Sequence, residues 1–85
     1  MNIEQAISKV VRHQMLTLNF RIRDLSRAVG LDEQTVSNQL NDRTYWKIGR
    51  LYGFGKILGL SGSQILEDAE RLVKLAKEAG EAGDE

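Results

Sequence analysis

The spacing of the apolar residues is what most limits this chain. From Ile3 to Ala79 they recur every three or four positions and nowhere alternate for long, which commits the chain to helices rather than strands. Ile3, Ile7, Val10, Val11, Met15 and Leu18 share one face and predict a first helix over about 3–17. Ile22, Leu25, Ser26 and Val29 predict a short second helix, ended by Gly30, a residue free to take positive φ. Asp32 then caps a third, over 32–41, with Val36 and Leu40 as its buried side. A fourth, over about 44–58, is expected to carry Ile48, Leu51, Tyr52, Gly55 and Leu58 inward and to stop at Gly59. Gly53 and Gly55 each cost about 1 kcal/mol in a helix relative to alanine, so at least one is expected to permit a close helix approach. Ser61-x-x-Gln64 reads as a capping box opening a last helix over about 62–79. Along it Ile65, Ala69, Leu72, Ala76 and Ala79 form a seam, too short to define a coiled coil. That seam either packs on the chain's own core or closes a dimer through Ile65, Ala69, Leu72 and Ala76.

Size makes the second option worth carrying. A chain of 85 residues buries only roughly 60–65% of the surface its unfolded form exposes, so completion by a second copy is an expectation from the start. The absence of cysteine removes disulfides, thiolate zinc sites and thiol nucleophiles, and fits an intracellular setting. No basic patch with an apolar core opens the chain, and no apolar run approaches the roughly 20 residues of a membrane span. A cytoplasmic protein without a membrane partner is expected.

Twelve Lys and Arg balance twelve Asp and Glu, which at first argues against a nucleic-acid partner, because neutralising phosphate needs excess positive charge. Position reverses the argument. Residues 9–56 hold nine bases against four acids, a net of +5, whereas the last eight residues hold four acids and no base. The chain therefore reads as one domain over 1–79 followed by an acidic, disordered tail over 80–85.

The most informative stretch runs from Arg21 to Asn41. Ser26 is small, Gly30 follows four residues later, and Leu31 and Val36 are apolar; these are the steric needs of a helix-turn-helix, where two steeply crossing helices touch at a small side chain and glycine makes the turn. The face of the third helix left free then holds Glu33, Gln34, Ser37, Asn38 and Asn41. Gln and Asn can pair in bidentate fashion with adenine N6/N7, Ser serves several bases, and Glu accepts from cytosine N4. An ordinary solvated helix would carry more Lys and Glu there.

On these residues the chain resembles the Cro and lambda-repressor type of helix-turn-helix DNA-binding proteins. Gly30-Leu31-Asp32 resembles the family's turn, and Phe54-Gly55-Lys56-Ile57-Leu58-Gly59-Leu60-Ser61 resembles the segment that usually closes its fourth helix. The likeness covers about residues 3–70 and implies an all-α, five-helix bundle that binds double-stranded DNA with its third helix in the major groove, usually as a two-fold dimer. It carries base reading onto Glu33, Gln34, Ser37 and Asn38. Three positions depart from the pattern: Ile22 and Gln39 stand where the family often has Gln and Glu, and Ser26 where it often has Ala. Arg21 and Arg23 flank Ile22 and can supply a phosphate contact in its place. Thr35, Arg43, Thr44, Tyr45 and Lys47 are the further phosphate candidates, the last four falling where the chain leaves the groove.

The other conspicuous residues read more plainly. Gly53-Phe54-Gly55-Lys56 lacks the Gly and Ser/Thr positions of a phosphate loop, which Arg50 and Ile57 occupy. His13 has no partner at metal or triad spacing, and Trp46 reads as a packing residue. No catalytic residue, metal or cofactor is implied. The sequence thus points to a repressor-like transcriptional regulator. An antitoxin-like module that binds another protein through its C-terminal helix is the alternative.

Overall fold

A computed structural model describes residues 1–80. It holds five helices and, among the described residues, no strand: α1 (Ile3–Thr17), α2 (Ile22–Val29), α3 (Glu33–Leu40), α4 (Ile48–Leu58) and α5 (Gly62–Glu78). Of the tail expected over 80–85, residues 81–85 lie outside the described residues.

Five helix ends have a clear local cause. Asn2 accepts from the Gln5 N–H at 2.9 Å, and the Gln5 side chain answers by accepting from the Asn2 N–H at 3.0 Å, a complete capping box for α1. Asp32 and Ser61 cap α3 and α5 by accepting from the third residue on, at 2.6 and 3.1 Å. Gly30 and Gly59 end α2 and α4 in the left-handed conformation, φ 75° and 77°.

The core is filled by Ala6, Ile7, Val10, Val11 and Met15 of α1, Leu25 of α2, Val36 and Leu40 of α3, Leu51, Phe54 and Leu58 of α4, and Ile65 and Ala69 of α5. α1 and α5 share the most extensive contact, while α4 touches α1, α2 and α5. The seam of α5 is spent inside this arrangement. Ile65 and Ala69 are fully buried, Ala76 is nearly so, and Leu72 packs half-buried against the core. Side chains enclosed in one chain cannot also face a second, so the contact expected through Ile65, Ala69, Leu72 and Ala76 is corrected to an intramolecular one at Ile65, Ala69 and Ala76, with Leu72 lying half-buried at its edge.

The fourth helix differs from expectation in start and facing. It begins at Ile48, not near 44, and its buried stripe is Leu51, Phe54, Gly55 and Leu58. Ile48, in the first turn, is 71% exposed, and Tyr52, one residue round from Leu51, is 54% exposed. Of the two glycines expected to permit a close approach, Gly55 does so: a Cβ there would lie 2.5 Å from the Leu60 carbonyl oxygen and 3.0 Å from Ile65 Cδ1. At Gly53 the same atom would meet nothing within 4 Å.

Candidate nucleic-acid interface

The α2–α3 junction is built around one serine. The N–H groups of Gly30 and Leu31 both donate to the Ser26 carbonyl, at 3.0 and 3.1 Å, and the Ser26 hydroxyl donates to the Leu31 carbonyl. Ser26 therefore does more than stay small at the crossing: its side chain and its carbonyl close the turn from both sides. Leu25, Val36 and Leu40 then seat the inner side of α3 in the core. At the start of α3 the Thr35 backbone N–H, with help from the Thr35 hydroxyl, holds the Asp32 carboxyl below its ordinary 3.8. Thr35 is thus engaged locally at the helix N-terminus.

The other side of α3 presents the five residues expected to read bases. Glu33, Gln34 and Asn41 are exposed, and Ser37 and Asn38 are partly so. Their spacing places them on one face. They are also joined to one another: Gln34 Nε2 donates to Asn38 Oδ1 at 2.9 Å, and Asn41 Nδ2 donates to Ser37 Oγ at 3.2 Å. Arg12 of α1 reaches the end of the same helix, donating from Nε to the Leu40 carbonyl at 3.1 Å and from a terminal nitrogen to Asn41 Oδ1 at 2.6 Å. Asn41 is consequently anchored at both ends of its amide.

The phosphate candidates fall in two groups that bracket α3 in chain order. Arg21 and Arg23 stand exposed at the start of α2, where the Arg21 N–H donates to the Asp24 carboxylate at 2.9 Å. Arg43, Thr44, Tyr45 and Lys47 are exposed in the loop from α3 to α4. Arg21, Arg23, Arg43 and Lys47 make no ion pair among the described residues, so their charge is available to an external anion.

That loop is held by Gln39, noted above only as a departure from the family pattern, and by Glu4 and Ser8, which the sequence did not single out. Buried Gln39 donates from Nε2 to the Thr44 carbonyl at 3.1 Å and accepts from Arg50 at 3.3 Å, so an amide does the anchoring where the resembled family often has a carboxylate. Glu4 accepts from the Trp46 N–H at 2.6 Å. The buried Ser8 hydroxyl donates to Asp42 Oδ1 at 2.6 Å and accepts from Trp46 Nε1 at 3.0 Å. The Asp42 bond steadies a non-glycine residue at φ 61°. Trp46 meets Phe54 edge-on at 5.5 Å, in keeping with its reading as a packing residue. Glu4, Ser8 and Arg12 recur every four residues along α1, and that polar stripe beside the apolar one was the available signal.

Short tight turn, inward-pinned α3, amide-rich outer face and bracketing cations together define a helix-turn-helix DNA-binding domain. The family model for the Cro/C1-type HTH DNA-binding domain matches residues 11–70. The chain belongs to that family. It is also similar to the protein named Trigger factor from Acetivibrio thermocellus, with 34% identity over 80 residues, covering 85% of this chain. The chain spans 19% of the length of that curated relative. No solved structure matches it. No helix among the described residues is long and apolar enough to cross a membrane.

Proposed function

We propose that this protein is a sequence-specific transcriptional repressor of the cytoplasm, binding a palindromic operator in double-stranded DNA as a homodimer. One observation carries the reading: the outer face of α3 presents two hydrogen-bonded pairs, Gln34 with Asn38 and Asn41 with Ser37, on a helix whose inner side is fixed in the core. A face so arranged suits base edges in a major groove, with Arg21, Arg23, Arg43, Thr44, Tyr45 and Lys47 on phosphates at either side. Glu33 adds an acceptor for cytosine N4.

The second copy is placed on a different surface from the seam of α5. Ile48 and Tyr52 lie one turn apart on α4, and the Tyr52 ring lies over Gly62, where a Cβ would sit 1.6 Å from Cε1. Leu66, one turn beyond Gly62, is 38% exposed and extends the stripe. Ile48, which opens the stripe, follows Lys47 of the loop that carries the phosphate candidates, and a two-fold contact there would have to set two copies of α3 about 34 Å apart to read successive grooves. Substituting Tyr52→Glu is expected to halve the sedimenting mass; a native monomer, or a variant of unchanged mass, overturns this interface.

Duplex titration over a salt series tests the main reading. Gln34→Ala should lose about 1–3 kcal/mol on the preferred site and leave non-specific binding intact. Arg43→Ala should weaken every sequence alike and reduce the salt slope by about one. Absence of salt-dependent binding by the native chain to any duplex of a randomised pool would refute it. The alternative of a protein partner on α5 rests on what that helix still exposes, chiefly Leu66 and Leu75.

A further inference from the structure

We infer that Arg12 and Asn41 are positioning residues that fix the hydrogen-bond polarity of Ser37, so that Ser37 offers a proton to DNA and selects a base with an acceptor at its major-groove edge. The inference rests on the DNA-reading role of α3 proposed above and adds the chemical class of base that one position takes. It starts from what a guanidinium can do. Arginine has only donors, so the atom of Asn41 that meets it at 2.6 Å must be the amide oxygen. The second bond from Arg12, to the Leu40 carbonyl at 3.1 Å, holds the guanidinium in place and gives the C-terminal end of α3 a positive partner. With its oxygen so fixed, the amide of Asn41 must turn its NH2 the other way, and that group lies 3.2 Å from Ser37 Oγ. The Ser37 hydroxyl therefore accepts from Asn41. Its own proton has no acceptor among the described residues, and accepting one hydrogen bond strengthens the hydroxyl as a donor for the next.

A hydroxyl polarised in this way favours the acceptors guanine N7/O6, adenine N7 and thymine O4 over the N4 amino group of cytosine, which could use only its second lone pair. Asn41, an exposed amide that looks in the sequence like a direct base reader, acts through Ser37 instead.

The test is selection of duplexes from a randomised pool by the full chain, native and variant, with helicity monitored alongside. Ser37→Ala locates the position Ser37 reads, as the one where preference is lost. There the native chain is expected to favour guanine or thymine over cytosine by about tenfold. Asn41→Asp keeps a partner for Arg12 but can only accept, so it takes the Ser37 proton and leaves lone pairs facing the base; the preference should invert toward cytosine. Arg12→Gln frees the amide, and the ratio should fall to within about twofold. An Asn41→Asp chain that binds with the native base preference overturns the inference. So does an Arg12→Gln chain that keeps it, which decides the matter if the added carboxylate abolishes binding. Salt-dependent binding by the native chain with no preference at the Ser37 position also refutes it while leaving the DNA-reading role intact, whereas absence of any salt-dependent binding removes both.

Discussion

Replacing Gly53 and Gly55 with alanine, one at a time, should move the stability of this domain in opposite directions. Both lie within α4, so each alanine gains the same helix preference, about 1 kcal/mol. They differ in what the new methyl meets. At Gly53 it enters open space, and the preference stands alone. At Gly55 it would press to 2.5 Å on the Leu60 carbonyl oxygen, a backbone atom in the turn where the Leu60 N–H is bonded to the Gly55 carbonyl at 2.8 Å. Neither group can rotate aside as a flexible side chain would, and Ile65 Cδ1 at 3.0 Å closes the other direction. Overpacking of this kind costs about 1–3 kcal/mol, enough to cancel or outweigh the helix term. Because the helix gain is common to both, the gap between the variants isolates the clash. With about 2 kcal/mol as its centre, the two melting temperatures should differ by about 8–16 °C, Gly53→Ala lying about 4–8 °C above the native chain. Thermal unfolding followed by far-ultraviolet circular dichroism measures both. Two variants melting within about 2 °C of each other would show that α4 and the start of α5 do not approach as described. Specific DNA binding well below either midpoint should stay native, since Gly55 touches Leu60 and Ile65 and not α3.

Two further expectations concern the supports of α3. The Asp32 carboxyl is held below 3.8 by the Thr35 N–H, so its contribution is present above that pH and is lost as pH falls through the lower folded value; Asp32→Asn, which caps without titrating, should narrow its stability gap to the native chain below pH 3.8, and a gap independent of pH would remove the cap from the acid response. Ser8→Ala leaves Trp46 Nε1 and the Asp42 carboxylate without their buried partner, which should destabilise the domain by about 1–3 kcal/mol and shift the fluorescence of its single tryptophan; native emission and stability would show that Ser8 does not tie α1 to the loop.

The parts legible in the sequence are those whose causes are local. Asp32, Ser61, Gly30 and Gly59 each act within a few residues of where they stand, so one end of each of four helices follows from reading them in order. The start of α4 had no such marker. No proline or glycine interrupts 44–47, and the stretch stays out of the helix because distant groups occupy its backbone: Glu4 takes the Trp46 N–H, and Gln39 takes the Thr44 carbonyl. The seam of α5 fails for a related reason. Periodicity says that Ile65, Ala69 and Ala76 face something apolar, but the same spacing suits an intramolecular partner and an intermolecular one; only the placement of α1 decides between them.

At the proposed reading face the residue types were legible and their mutual constraints were not. Glutamine, serine and asparagine at one-turn spacing already name base-edge chemistry, yet each can donate or accept, so composition leaves the choice of base open. What narrows it lies on another helix. Arg12 belongs to α1, 29 residues before Asn41, and its guanidinium removes one of the two orientations of that amide. The same helix contributes Glu4 and Ser8 to the loop that carries Arg43, Thr44 and Tyr45. One side of α1 thus builds the core, and its polar flank sets both the end of α3 and the course of the chain beyond it. On the proposed reading, specificity would therefore belong to the α1–α3 pair. Exchanging the outer residues of α3 alone should transfer a base preference only into domains that keep an arginine at the position of Arg12.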